Sequence, residues 1–138
     1  MKTLLRTEEL GQFLGCALAL YLADVSWWWY LLLVIGPDIG MLGYLAGPRT
    51  GAFTYNLLHH KGIAWLSIAL ALVLGHTLYL SLPAILDQHI WMPIGLVLLG
   101  HASMDRMLGY GLKFGDNFHH THLGWIGRMK AGRANEGP

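Results

Sequence analysis

His101 and Asp105 stand four residues apart in the run Gly100-His101-Ala102-Ser103-Met104-Asp105-Arg106. On a helix that spacing puts both side chains on one face, about 5 to 6 Å apart at Cβ, close enough to share a cation or a hydrogen bond. Asp38 follows a proline in Gly36-Pro37-Asp38-Ile39-Gly40, inside an otherwise apolar stretch. His59 and His60 close a short segment that also holds Tyr55 and Asn56, while Asp116, His119, His120 and His122 crowd into residues 115–122. Imidazole and carboxylate without thiolate suit zinc, iron or manganese rather than Cu(I), and two carboxylates can bridge two ions. Cys16 is the single cysteine; with no partner for a disulfide or a thiolate site it reads as a small buried hydrophobe.

The elements that must position these residues are apolar. The chain is 54% hydrophobic and 12% charged over 138 residues, room for one domain, with the apolar residues in blocks rather than at amphipathic intervals. Residues 62–86 contain no Asp, Glu, Lys or Arg, and about 20 apolar residues suffice to cross a hydrocarbon core. The reading is an all-α, polytopic membrane protein: a four-transmembrane-helix bundle with a short interfacial helix before helix 3. Helix 1 covers about 8–24, helix 2 about 28–46, the interfacial helix about 51–60, helix 3 about 62–82, helix 4 about 90–112, and a cytoplasmic tail 113–138, all one membrane domain over 1–138. Glu8 and Glu9 follow Thr7 as a helix start, and the first apolar run reads as a retained helix.

Lys and Arg number nine and all fall on one side of this arrangement, with none in the turns at Asp24 and Asp87. Positive residues stay inside, so four crossings with both termini cytoplasmic are expected. Gly36/Gly40 and Gly43/Gly47 are small-xxx-small pairs that let helix backbones approach closely and point to helix 2 as the central one. Trp27, Trp28, Trp29, Trp65, Trp91 and Trp125 fall near predicted helix ends as an interfacial belt. A net charge of +1 excludes the basic stripe of a nucleic-acid binder, and no internal repeat marks a transporter.

Counting about 1.5 Å per residue from the outer turns puts Asp38 about 18 Å deep, His101 about 15 Å and Asp105 about 21 Å, at one level. His60, folding back from the inner interface, completes the expected ligand set Asp38, His60, His101 and Asp105, with His59, His119 and His120 as possible additional ligands. The alternative is that Asp38 and His101 only pair across the helix interface, with Asp105 and Arg106 satisfying each other. His76, near the outer end of helix 3, is expected to make a structural hydrogen bond.

Four segments, Gly36-Pro37-Asp38-Ile39-Gly40, Tyr55-Asn56-Leu57-Leu58-His59-His60, Gly100 to Arg106 as written above and Tyr110-Gly111-Leu112-Lys113, together resemble the small bacterial integral membrane proteins grouped as domain-of-unknown-function family 4260, over about residues 10–127. That resemblance implies a bacterial inner-membrane protein and supplies no reaction. A weaker similarity is to predicted membrane-bound metal-dependent hydrolases, in which a Pro-Asp, a His-rich segment and a His-x-x-x-Asp follow in the order of Pro37-Asp38, His59-His60 and His101/Asp105. This chain lacks a second His just beyond His60 and has Gly40 where a second Asp would stand. The expected function is hydrolysis of a lipid ester or phosphoester by a divalent metal (zinc, iron or manganese) that activates water. The competing expectation is a non-enzymatic binding or structural module: an accessory subunit of a larger membrane complex, or a metal or cofactor carrier. The expected partners are the lipid bilayer, a lipid substrate, and further copies in a homo-oligomer or a larger membrane complex.

Overall fold

Breakers set the ends of the helices. The computed structural model describes residues 2–77 and 88–126 and is mostly helical. Helix α1 covers Lys2–Leu22, beginning earlier than the Thr7 start expected; Thr7 Oγ1 donates to Leu4 O within the helix instead of capping it. It ends where Asp24 turns into the left-handed region at φ 50°, with Asp24 N–H bonded to Tyr21 O and Val25 N–H to Leu20 O. This is the Schellman pattern, and Asp is one of the few non-glycine residues that tolerate it.

Helix α2, Trp28–Ile35, does not run on as an α-helix to residue 46. From Gly36 to Ala46 the chain winds more tightly as a 3-10 helix with Pro37 in its first turn. Proline has no amide hydrogen, so the carbonyl four residues back, Leu33 O, receives nothing from it. Gly47, at φ 115°, turns the chain, and Pro48 opens α3, Pro48–His59, at the position where a missing N–H costs nothing.

The sequence reading laid the segment 51–60 along the membrane surface. In the structure α3 packs antiparallel against the 3-10 helix. Thr54 Oγ1 donates to Gly40 O at 2.6 Å, and a Cβ at Gly40 would meet the Thr54 carbonyl oxygen at 2.8 Å, so only glycine admits this approach. His60 is extended, and α4, Lys61–Thr77, continues beyond it at a 42° bend. Trp28–Ala46 is long and apolar enough to cross a membrane, and Pro48–His59 with Lys61–Val73 passes as a second span if the bent pair is one.

Helix α5, Gln88–Leu108, is the central one, not helix 2 as the glycine pairs implied: it touches α1, α2, α3, α4 and the 3-10 helix. It lies antiparallel to α1, where Ser103 Oγ donates to Gln12 Oε1 at 2.7 Å and Gly100 faces Cys16. It also lies antiparallel to α4, where Ser67 Oγ donates to Trp91 O at 3.3 Å and Gly95 faces Ala64 and Ile68. The core is apolar at these seams, in one cluster of Cys16, Ala64, Ile68 and Leu99 and another of Leu20, Leu33 and Val97. The outward faces are apolar too: Leu10, Leu14 and Leu18 on α1, Ile39, Leu42 and Leu45 on the 3-10 helix, and Leu66 and Leu70 on α4 are exposed, Leu45 by 90%.

Helix α5 stops at Leu108 rather than 112, because Gly109 at φ 96° closes it with Gly109 N–H on Arg106 O and Tyr110 N–H on Asp105 O. Nor is the segment after it a free tail. Strands β1, His120–Thr121, and β2, Gly124–Trp125, pair as a hairpin, an addition to the all-α reading, and Lys113 bridges to Thr121. The outer part of helix 3, the loop with Pro83 and Asp87, the side chain of His76 and the tail 127–138 lie outside the described residues.

Candidate metal centre

Asp38 from the 3-10 helix, His59 at the end of α3, and His101 and Asp105 one turn apart on α5 each offer a ligand atom, all within 4.8 Å of one another. Helix packing brings them together: α3 runs back beside the 3-10 helix as far as the level of Asp38, and α5 lies against both.

The two imidazoles are held alike. His59 Nδ1 lies 2.9 Å from Tyr55 O, and His101 Nδ1 lies 3.0 Å from Leu33 O. A carbonyl only accepts, so in each ring Nδ1 carries the proton, and in a neutral imidazole Nε2 is left with a free lone pair. The Leu33 carbonyl is free for this because Pro37 cannot donate to it. Both Nε2 atoms are buried and have no hydrogen-bond partner among the described residues.

What faces them is carboxylate oxygen. His59 Nε2 is 3.6 Å from Asp38 Oδ1 and 3.4 Å from Asp105 Oδ2; His101 Nε2 is 3.5 Å from Asp38 Oδ1 and 4.0 Å from Asp105 Oδ1. These separations exceed the usual 2.7 to 3.2 Å of an N–H···O bond, and neither Nε2 makes a hydrogen bond across them. One ligand atom from each of the four residues lies within 4.8 Å of the others, near enough to be drawn onto one ion that holds nitrogen and oxygen donors at about 2.0 to 2.2 Å. Two carboxylates and two neutral imidazoles match the charge of a divalent cation. The donor set and the two orphaned nitrogens fit such an ion.

An outer layer holds the donors in place. Tyr55, only 1% exposed, donates its hydroxyl to Asp105 Oδ2 and stacks its ring on His59 with centroids 3.7 Å apart. Metal-binding side chains are commonly oriented by a second set of hydrogen bonds of this kind. Asn56 clamps the chain beyond α5 to α3: its Nδ2 donates to Lys113 O at 2.8 Å, and Lys113 N–H donates to its Oδ1 at 2.7 Å. Lys113 is buried, with Nζ donating to Phe118 O at 3.0 Å and lying 5.1 Å from the Tyr55 ring centroid. Burial lowers the pKa of its ammonium, against the opposing pull of Asp105 and Asp38.

Of the expected ligands, Asp38, His101 and Asp105 come together and His60 does not. His60 is exposed, and its Nδ1 accepts the Gly62 N–H at 3.1 Å; His59 takes the fourth place. Neighbouring helix residues point about 100° apart, and α3 turns Tyr55 and His59 inward. His119 and His120 lie outside the group as well. His120 Nδ1 is 2.7 Å from Asp116 Oδ2 and its ring stacks on Trp125, while His119 packs edge-on against Phe118. Tyr55, Asn56 and Lys113 were not among the expected site residues; the i, i+4 spacing of Tyr55 to His59 was the available signal. The carboxyl of Asp38 is 40% exposed and that of Asp105 13%, whereas His101 is fully enclosed.

Residues 2–126 match the model of the family described as Domain of unknown function (DUF4260), and the chain belongs to that family. No curated protein and no solved structure matches it.

Proposed function

We propose that this chain is a multi-pass membrane enzyme in which Asp38, His59, His101 and Asp105 hold a divalent zinc, iron or manganese ion for hydrolysis of a lipid ester or phosphoester. The observation that carries the reading is the pair of buried, partnerless Nε2 atoms aimed at two carboxylates. An unsatisfied buried polar atom costs about 1 to 3 kcal/mol, and a shared cation removes that cost from both rings at once. Bound there, the ion supplies Lewis acidity toward a carbonyl or phosphoryl oxygen and makes water a better nucleophile. Tyr55 orients Asp105, and the Tyr55 and Leu33 carbonyls hold the two rings in the tautomer that presents Nε2.

The membrane reading is supported by the apolar outward faces, far more extensive than a water-soluble monomer of this size leaves uncovered. Four crossings are supported by the alternation of directions: α1 and the α3–α4 pair run opposite to α5, and α2 with the 3-10 helix runs along it. Lys2, Arg6, Arg49, Arg106 and Lys113 then gather at one end, which positive-inside bias makes cytoplasmic, together with both termini. Lys61 is the exception; it sits at the bend and is held by Glu9 and Gln12 of α1.

A second reading, in which the ion only ties the helices together, is favoured by the enclosure of both imidazoles, which leaves Asp38 as the open side of the group. Elemental analysis of tag-free protein in detergent separates the readings when followed by a lipid assay. Stoichiometric metal in wild type and His60→Ala, and its loss in His59→Ala, are expected, with release of fatty acid or phosphate from a bacterial lipid extract that a chelator stops. A folded, metal-free wild type overturns the site; stoichiometric metal without lipid turnover leaves the tying role.

A further inference from the structure

A second feature lies one residue from the candidate metal group. A cavity of about 480 Å³ opens between the first turns of α1, the end of α5 and the hairpin. Lys2, Arg6 and Arg106 supply its charge, and Leu123, Trp125 and Ile126 its apolar wall. Glu9 also reaches it, but Lys61 holds that carboxylate. Among the described residues no carboxylate forms an ion pair with the three cations, so the cavity carries uncompensated positive charge.

We propose that this cavity binds the phosphate headgroup of an anionic membrane lipid, the two arginines and Lys2 taking the phosphate and the apolar wall taking the start of the acyl chains. Guanidinium forks match phosphate oxygens in pairs, and basic pockets between helices at the cytoplasmic side of a membrane are the usual receivers of anionic headgroups. Lipid rather than a free anion is indicated by the lining: Leu5 and Leu108 are exposed by 54% and 59% beside the exposed Lys2 and Arg6, so apolar surface continues outward next to the cations. Arg106 and Tyr110 line both this cavity and the closed seam against which His59 and Asp105 pack. A lipid seated by its phosphate therefore lies beside the candidate metal group, and its class, an anionic glycerophospholipid, narrows the proposed substrate. The inference rests on the membrane reading of the chain and, for its link to substrate, on the metal reading.

Binding is measured on the full chain in detergent by native mass spectrometry, with phosphatidylglycerol, phosphatidylcholine and inorganic phosphate as probes. Phosphatidylglycerol is expected to bind about tenfold more tightly than phosphatidylcholine, and Lys2→Gln and Arg6→Gln each to weaken it about fivefold, the effect of one cation near an anionic headgroup. Both variants keep the wild-type circular dichroism and thermal midpoint, because Lys2 and Arg6 are exposed. Inorganic phosphate is expected not to displace the lipid. Equal binding of the two lipids, wild-type affinity in both variants, or displacement by inorganic phosphate overturns the proposal. Asp38→Asn, which removes a metal ligand, is expected to bind phosphatidylglycerol as wild type does, so a failed metal site and a failed lipid site give different results.

Discussion

Replacing Asp38 by Asn makes a metal site and a structural ion-pair cluster predict opposite signs. The ligand atoms of Asp38 and Asp105 lie within 4.8 Å of each other, and each imidazole between them gives its Nδ1 proton to a backbone carbonyl. Two unit charges at that distance repel by about 3.5 kcal/mol at an effective dielectric of about 20. Asp38 is 40% exposed, and solvent screening reduces this to about 1 to 2 kcal/mol. With chelator present, Asp38→Asn should therefore be the more stable protein, by about 3 to 8 °C in thermal midpoint. With metal at about a hundred times its dissociation constant the order reverses, because wild type gains about 2.7 kcal/mol and the variant gains little. If instead a protonated histidine is paired with the carboxylates, removing one partner costs about 1 to 3 kcal/mol with or without metal. Thermal unfolding in detergent, followed by circular dichroism with chelator and with added zinc or manganese, decides the sign. A variant less stable than wild type in chelator, with neither protein shifted by metal, refutes the reasoning.

Pro37→Ala adds an amide hydrogen that lets α2 continue and bond Leu33 O in competition with His101 Nδ1–H, and metal affinity should fall about 10- to 100-fold. Competition with a chromophoric chelator measures this, and an unchanged affinity would show that the proline has no part in orienting His101. His122 accepts the Leu112 N–H through Nδ1, and burial, then the Arg106 charge, push its pKa below the usual 6.5. A depressed histidine pKa means that the folded chain binds fewer protons, so this contribution is complete above about pH 6.5 and is lost as pH falls from there through the folded value. Amide exchange at residues 110–113, corrected for intrinsic rate, should rise below about pH 6.5 in wild type and lose that dependence in His122→Gln; pH-independent protection in wild type would contradict the assignment.

Single-residue signals made several helix ends legible. Asp24 to Ser26, Gly47-Pro48 and the apolar block from residue 90 all mark boundaries that the structure keeps within a few residues. What α3 packs against was not legible from its twelve residues, which mix Tyr55, Asn56 and His59 with few large apolar side chains. Gly40 and Gly43 let α3 and the 3-10 helix come into backbone contact, and Gly51 makes room for the Tyr44 ring. The small-residue pairs were visible in the sequence, but which helix they admit depends on the direction taken after Gly47. The segment after α5 was unreadable for the same reason: Asn56, 57 residues before Lys113, supplies the hydrogen bonds that order it.

At the site, counting depth put Asp38, His101 and Asp105 at one level although the helix carrying Asp38 changes from α to 3-10 at Gly36, because the change comes only two residues before Asp38 and adds little to the rise. The choice between His59 and His60 needed the rotational phase of α3. That phase was present in the segment as Gly51, Ala52, Tyr55 and His59, buried together, against Phe53, Leu57 and His60, exposed together. Pro37 holds the remaining part of the argument. Beside Asp38 it reads as a helix breaker, yet its physical effect falls four residues earlier, on the carbonyl of Leu33. That oxygen sets the tautomer of His101, 68 residues away in sequence. The proline and the aspartate next to it thus serve the same group from two sides: Asp38 supplies a donor atom, and Pro37 frees the acceptor that turns His101 Nε2 toward it.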